Sequence, residues 1–146
     1  MSIGIGIGIG IGIGIGIGGV ARKVLEDVET VIYEYGVYNL NEPNYRNTDS
    51  ICDGIITILR SSLIEPEIHI KKKKTSSGRK KLITKRIKVN VPIEDLIFQK
   101  MIVIDNCRYC WKTVNGIDTM AIRLCIQLFE EYQIWGSLPD NVGYHV

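Results

Sequence analysis

Four cysteines and two histidines are the residues of this 146-residue chain whose chemistry could define a catalytic or metal site. Cys107 and Cys110 have the C-x-x-C spacing of zinc ligands and redox pairs. A structural zinc site needs a second pair at comparable spacing, and only the isolated Cys52 and Cys125 remain. No thioredoxin-like βαβ pattern surrounds the C-x-x-C pair. We therefore expect no metal and no cofactor, with a four-cysteine site assembled by folding as the alternative.

The sequence contains no recognisable arrangement of catalytic residues. His69 lies beside a lysine run and His145 next to the C-terminal residue, so neither is well placed as the base of a cysteine nucleophile. The glycine repeat lacks the Gly-Lys-Ser/Thr ending of a phosphate-binding loop. No pair of carboxylates stands out from the acidic residues. We expect no catalytic residues, and we predict that the chain is not an enzyme.

The charges are distributed unevenly along the chain. Residues 71–88 contain ten basic residues and no acidic one, which leaves 8 bases against 16 acids in the remainder. The sequence therefore describes an acidic body with one basic segment. The ten basic residues are Lys71, Lys72, Lys73, Lys74, Arg79, Lys80, Lys81, Lys85, Arg86 and Lys88.

The chain begins with a low-complexity segment in which Ile and Gly alternate eight times between Ile3 and Gly18. A period of two places every Ile on one face of a β-strand, whereas a helix would scatter them and be weakened by the glycines. A lone strand needs partners for its backbone, and symmetric copies could supply them in a barrel or tube. The predicted oligomerisation residues are Ile3, Ile5, Ile7, Ile9, Ile11, Ile13, Ile15 and Ile17.

Three other interpretations of the repeat stay open. A transmembrane helix needs about 20 apolar residues, and this run is shorter and half glycine. A signal peptide needs a basic start that Met1 and Ser2 do not provide, although Gly-Val-Ala before Arg22 resembles a cleavage site. A disordered repeat conflicts with the high isoleucine content.

Periodicity and turn residues predict an α+β, mainly helical fold with about four helices. The helices are expected over 20–35, 51–63, 92–104 and 118–136, and a protruding basic β-hairpin over 67–91. Pro92 suits the first turn of the third helix, and Asp118 and Gly136 suit the two ends of the fourth.

These elements define three segments. Residues 1–19 form the Ile-Gly arm, residues 20–136 the helical domain with the hairpin inserted at 67–91, and residues 137–146 an extended C-terminal tail. The folded segment is long enough to bury a core without metals or disulfides.

The basic hairpin is the most informative functional segment, and three interpretations remain open. Lys-rich arms neutralise nucleic-acid phosphates without reading sequence, although residues 66–91 lack aromatic residues that would stack on bases. Charge also steers docking onto an acidic protein surface, and the acidic body of a neighbouring copy is one such surface. The third interpretation is a solvated loop.

A pairing strand, a charged arm and an extended tail are typical of subunits that reach into their neighbours. In this architecture the chain resembles the small ring or connector proteins between portal and tail of tailed bacteriophages. The resemblance covers residues 20–146, contains no diagnostic motif and transfers no site residues. It implies a helical domain with a hairpin and extended termini, repeated around a symmetry axis, and it does not extend to the Ile-Gly repeat.

We therefore expect a structural assembly subunit, a virion ring or connector protein whose N-terminal strands pair in a homo-oligomer. Its expected partners are copies of itself and portal or tail components, with synthesis in the host cytoplasm and final location in the virion. The alternatives are a DNA-binding accessory protein that uses residues 71–88 and a small membrane-associated protein anchored by residues 3–18. Of the partner classes, non-specific DNA contact stays open and a membrane is not expected.

Overall fold

The structure is a computed structural model that describes residues 16–41, 51–108 and 110–145. The described residues contain seven strands and two helices. In chain order they are β1 (Ile17–Glu26), β2 (Thr30–Asn39), β3 (Gly54–Leu59), β4 (Glu67–Lys74), β5 (Lys80–Ile87), α1 (Ile93–Phe98), β6 (Ile102–Asp105), α2 (Thr119–Trp135) and β7 (Asn141–His145).

Five of the strands form one antiparallel sheet in the order β6-β3-β2-β1-β7. Strands β4 and β5 form a separate two-stranded hairpin. The long helix α2 packs on one face of the five-stranded sheet, and the core lies between these two layers. Buried Leu124 and Leu128 of the helix belong to the same cluster as Tyr33, Tyr35 and Ile56 of the sheet.

The prediction of a mainly helical domain with four helices is wrong, because the described residues are mostly β. The segment predicted as the first helix, 20–35, contains most of β1, a turn and the first part of β2. In β2 the buried side chains Val31, Tyr33, Tyr35 and Val37 alternate with less buried ones, which is the period of a strand.

The turn between β1 and β2 is formed by Asp27. Its carboxylate accepts hydrogen bonds from the backbone N–H groups of Glu29 and Thr30, both at 2.8 Å. This local capping offers the backbone an alternative to helical hydrogen bonds. It reverses the chain, and β2 then pairs with β1 instead of continuing a helix.

Two further helix predictions are wrong in type or length. The segment 51–63 contains β3, whose Ile-rich sequence between Gly54 and Leu59 favours a pleated, half-buried strand. The helix expected over 92–104 ends at Phe98, and the chain then enters the edge strand β6. Lys100, with a φ of 64°, makes the reversal between them.

The last predicted helix is confirmed at both ends. The side chain of Asp118 accepts a hydrogen bond from the Met120 backbone N–H at 3.0 Å, and Gly136 takes a φ of 81° after the final turn. The predicted basic hairpin is likewise present as β4 and β5.

The predicted Ile-Gly arm and the predicted C-terminal tail both contribute residues to the five-stranded sheet. Strand β1 starts at Ile17, inside the predicted Ile-Gly arm, and β7 lies in the predicted C-terminal tail and pairs with β1. A Cβ atom on Gly19 would lie 2.6 Å from Cγ of Met120, so glycine is what permits α2 to approach β1 closely at this position.

Candidate interaction surfaces

The hairpin of β4 and β5, here called the arm, is the most exposed element of the described chain. Every residue of both strands is exposed except Ile87, which is partly buried. Two-stranded hairpins are marginally stable in water without a surface to pack on. The arm therefore has the properties of an element that another molecule covers.

The pairing register divides the arm into two faces, because directly opposite residues point to the same side. One face, here called the apolar arm face, has three large exposed apolar side chains: Ile68, Ile70 and Leu82, with exposed fractions of 58%, 65% and 63%. The opposite face is here called the lysine arm face. The remaining residues of the apolar arm face are Lys72, Lys74, Lys80, Thr84 and Arg86, and those of the lysine arm face are Glu67, His69, Lys71, Lys73, Lys81, Ile83, Lys85 and Ile87.

Like charges face each other at the tip of the arm. Lys73 lies opposite Lys81 on one face, and Lys74 lies opposite Lys80 on the other. Directly opposed like charges destabilise a strand pair. Negative charge placed beside the tip would relieve this repulsion.

The root of the arm is fastened to the C-terminal half of α2. The Tyr132 hydroxyl donates to the Glu65 carboxylate, and the Lys88 ammonium lies 2.6 Å from the Glu130 carboxylate. The amide of Gln133, 2% exposed, accepts a hydrogen bond from the Val89 N–H at 2.9 Å and donates to the Val89 carbonyl at 3.2 Å. Both legs of the arm are thus held on the helix side of the sheet.

The ten predicted basic residues all lie on or beside the arm. Seven of the eight lysines, and Arg86, lie within β4 and β5. Arg79 is in the turn that joins the two strands, and Lys88 directly follows β5 at the root of the arm. Of the predicted oligomerisation residues, Ile17 begins β1. Ile3, Ile5, Ile7, Ile9, Ile11, Ile13 and Ile15 lie outside the described residues.

A second surface, which the sequence analysis missed, is the face of the five-stranded sheet opposite α2, here called the open sheet face. Pairing places Leu25, Ile32, Thr57 and Val103 in one row across four strands, with Leu25 53% and Val103 40% exposed. Strand alternation in 54–59 and 102–105 was the signal that could have revealed it.

The open sheet face combines these apolar side chains with negative charge. The next row contains Arg22, Glu34, Ile55 and Asp105, and Arg22 pairs with Glu34 at 2.7 Å. Asp105 on this face, and Asp27 and Glu29 in the turn at its end, form no ion pair within 16–41, 51–108 and 110–145. The face is therefore apolar with an acidic surplus.

The cysteines are placed in structural positions. All four are thiols, with Cys107 and Cys125 buried and Cys52 and Cys110 partly buried. Burial raises the pKa of Cys107 and of Cys125 to about 12, and it also raises the pKa of Cys110 and Cys52. A thiol held in its neutral form is a poor nucleophile.

Cys107 belongs to a buried polar cluster that joins the sheet to α2. The Tyr35 hydroxyl donates to the Asp118 carboxylate at 2.9 Å and accepts from the Cys107 N–H at 3.0 Å. The Cys107 thiol lies 3.6 Å from the same carboxylate. Desolvation raises the pKa of Asp118. Because each polar group of this cluster already has a partner, its geometry is that of a structural junction.

The two histidines lie apart from the cysteines. His69 is on β4, 3.1 Å from the Glu67 carboxylate, and His145 ends β7. Among the described residues, no three His, Cys, Asp or Glu side chains are grouped so that they could hold a metal ion.

Comparisons with known proteins do not place the chain in a family. No family model, no curated protein and no solved structure matches it. Neither helix of the described residues is both long and apolar enough to cross a membrane.

Proposed function

We propose that the chain is a structural assembly subunit that joins neighbouring proteins through its arm. The observation that carries this proposal is a rooted hairpin whose strands are exposed on both faces and whose tip opposes lysine to lysine. Such an element gains stability when an acidic surface covers it. Its root on α2 fixes the direction in which it projects.

The composition of the arm favours a protein partner over nucleic acid. Phosphate contact needs only the lysines, whereas Ile68, Ile70 and Leu82 would stay exposed along a duplex. Protein interfaces combine apolar with charged side chains, and the apolar arm face intersperses its three apolar residues with four basic ones. The exposed apolar side chains of Ile68, Ile70 and Leu82 therefore favour a protein partner over nucleic acid.

The finer proposal is a ring or connector subunit in the particle of a tailed bacteriophage. The helical body expected from that resemblance is not what the described residues form, so the support that remains is the arm. Copies of the chain, with portal or tail proteins, are the proposed partners, and the virion is the proposed location.

The proposal is tested by combining native mass spectrometry with amide hydrogen exchange on the full chain. We expect a defined oligomer whose population falls as salt rises, because screening weakens contacts of the exposed lysines. Arm amides should be protected in the oligomer and exchange rapidly in the monomer.

Two outcomes would overturn the proposal. One is an oligomer in which the arm amides stay unprotected. The other is a monomer at every concentration whose arm gains protection only when a duplex DNA of random sequence is added, with a steep salt dependence. That second result would support the DNA-binding alternative.

A further inference from the structure

We infer that the partner of the apolar arm face is the open sheet face of a second copy of the same chain. This inference rests on the proposed function, since it names the surface that the arm covers. Each copy would then contribute one arm and one receiving face.

The two surfaces match in chemistry. The apolar arm face combines Ile68, Ile70 and Leu82 with four basic residues, Lys72, Lys74, Lys80 and Arg86. The open sheet face combines an apolar row with the carboxylates of Glu34 and Asp105 against the single cation Arg22, and Asp105 forms no ion pair in the described part of the chain. Opposite charges around a shared apolar contact favour one register over others.

The arm can align with the strands of the open sheet face over part of its length. Two sheets that pack face to face keep their strands within about 30° of each other. The backbone of Ile51 lies over β2 at Gly36. The part of β2 before Gly36 and the six residues of β3 therefore offer about 20 Å at 3.3 Å per residue. An arm laid along them contacts Ile32 and Thr57 at the centre of the row.

The arm cannot reach the open sheet face of its own chain. Its root is held by Tyr132, Gln133 and Glu130 of α2, and α2 lies on the other face of the sheet. The whole sheet therefore separates the arm from its own open face. The contact must form between copies.

The outer side of α2 is the competing surface, and there two acids, Glu130 and Glu131, are balanced by two bases, Lys88 and Arg123. Two grooves of about 370 Å³ flank Ile126 there. Glu130 pairs with Lys88, Glu131 accepts a hydrogen bond from the Trp135 indole N–H, and Arg123 lies on the same side. This surface offers the arm no acidic surplus comparable to that of the open sheet face.

A contact between two different surfaces is head-to-tail, and it produces a closed ring or an open filament.

A head-to-tail contact can be tested with pairs of variants, because each variant with one damaged surface keeps the other surface intact. Ile70→Asp damages the apolar arm face, and Asp105→Lys damages the open sheet face. Ile83→Asp on the lysine arm face and Glu131→Lys on α2 are the matched controls.

The measurement is sedimentation velocity of the full-length variants over a concentration series. We expect Ile70→Asp and Asp105→Lys each to raise the dissociation constant for self-association at least about tenfold, as for residues central to an interface. An equimolar mixture of these two variants should form a 1:1 heterodimer through the surfaces that remain intact. The two control variants should self-associate like the unmodified chain.

Each other outcome overturns a defined part of the argument. If the unmodified chain oligomerises with a protected arm but the mixture forms no heterodimer, the open sheet face is not the receiving surface, and the proposed function stands. If the Ile83→Asp control is as damaging as Ile70→Asp, the arm face is wrongly assigned. A monomeric unmodified chain at all concentrations overturns pairing between copies.

Discussion

Gln133 forms both of its hydrogen bonds with a single residue, because its side-chain amide binds the N–H and the carbonyl of Val89. This arrangement imitates one rung of a β-ladder between α2 and the chain that leaves the arm. Gln133 is buried and Val89 is partly buried, so the pairing fixes the root of the arm where water has reduced access.

The first prediction follows from this pair. Gln133→Leu keeps the volume of the side chain and leaves both polar groups of Val89 unpaired, which should lower the free energy of unfolding by about 1–3 kcal/mol. The measurement is urea denaturation. The matched control is Gln127→Leu on the same helix, because the Gln127 Oε1 atom is buried without a hydrogen-bond partner in the described part of the chain. Equal losses in the two variants would contradict the assigned role.

The second prediction concerns Asp118, which caps α2 and accepts a hydrogen bond from Tyr35. Asp118→Ala removes the cap and leaves the Tyr35 hydroxyl without its acceptor, so we expect a loss of about 2–4 kcal/mol. Asp118→Asn can still cap the helix and should lose less. Thermal or urea unfolding of both variants tests the order. An Ala variant as stable as the Asn variant would show that the cap contributes little.

The third prediction is a pH dependence from the same carboxylate. Desolvation raises its pKa in the folded state, so the folded protein holds this proton more tightly than the unfolded chain. The stabilisation is complete below the unfolded pKa of about 3.9 and is lost as pH rises through the folded pKa. We therefore expect the stability advantage of the unmodified chain over Asp118→Asn to be larger at low pH than at neutral pH. A difference independent of pH would contradict this.

The fourth prediction concerns thiol labelling of the native protein. Cys107 and Cys125 are buried and have a pKa of about 12, so at pH 8 they should resist iodoacetamide. Cys52 and Cys110 are partly exposed and should react first, though slowly, because burial raises their pKa as well. Peptide mapping by mass spectrometry after timed labelling gives the order. Early modification of Cys125 would show that α2 opens readily.

The fifth prediction separates the stability of the arm from its binding. Lys80→Glu replaces a repulsive cross-strand pair with an attractive one opposite Lys74 on the apolar arm face. Arm amides should exchange more slowly in the monomer, while association with an acidic partner should weaken because one positive charge becomes negative. Hydrogen exchange and sedimentation check the two effects. Lys85→Glu near the root, opposite His69, is a control with the same change of charge.

The helix α2 and the hairpin of β4 and β5 could be predicted from the sequence, because the residues that define each of them lie close together in the chain. Asp118 and Gly136 mark the ends of α2, and the alternating run around His69 followed by Gly78 indicates the hairpin. In each case the residues that define the element are neighbours in sequence.

The five-stranded sheet could not be obtained in this way, because its pairings join distant segments. The apolar residues between Val24 and Ile32 recur at helical spacing. Those from Val31 to Val37 alternate with the period of a strand, and the two patterns share Val31 and Ile32. Short apolar runs fit both periods, and tertiary pairing decides between them. Alternation in 54–59 and 102–105 indicates two of the strands of the open sheet face, but the row across it depends on pairing among four strands.

The pairing of β1 with β7 has a consequence for the time course of folding. Ala21 lies opposite Val142, so one side of β1 has no strand beside it until about 120 further residues have been synthesised. At ribosomal rates this interval is on the order of ten seconds. During that time β1, which begins inside the Ile-Gly repeat, presents an unsatisfied strand edge on a nascent chain. Translation speed and chaperone occupancy should therefore affect the yield of this protein more than that of a domain whose neighbouring strands are consecutive.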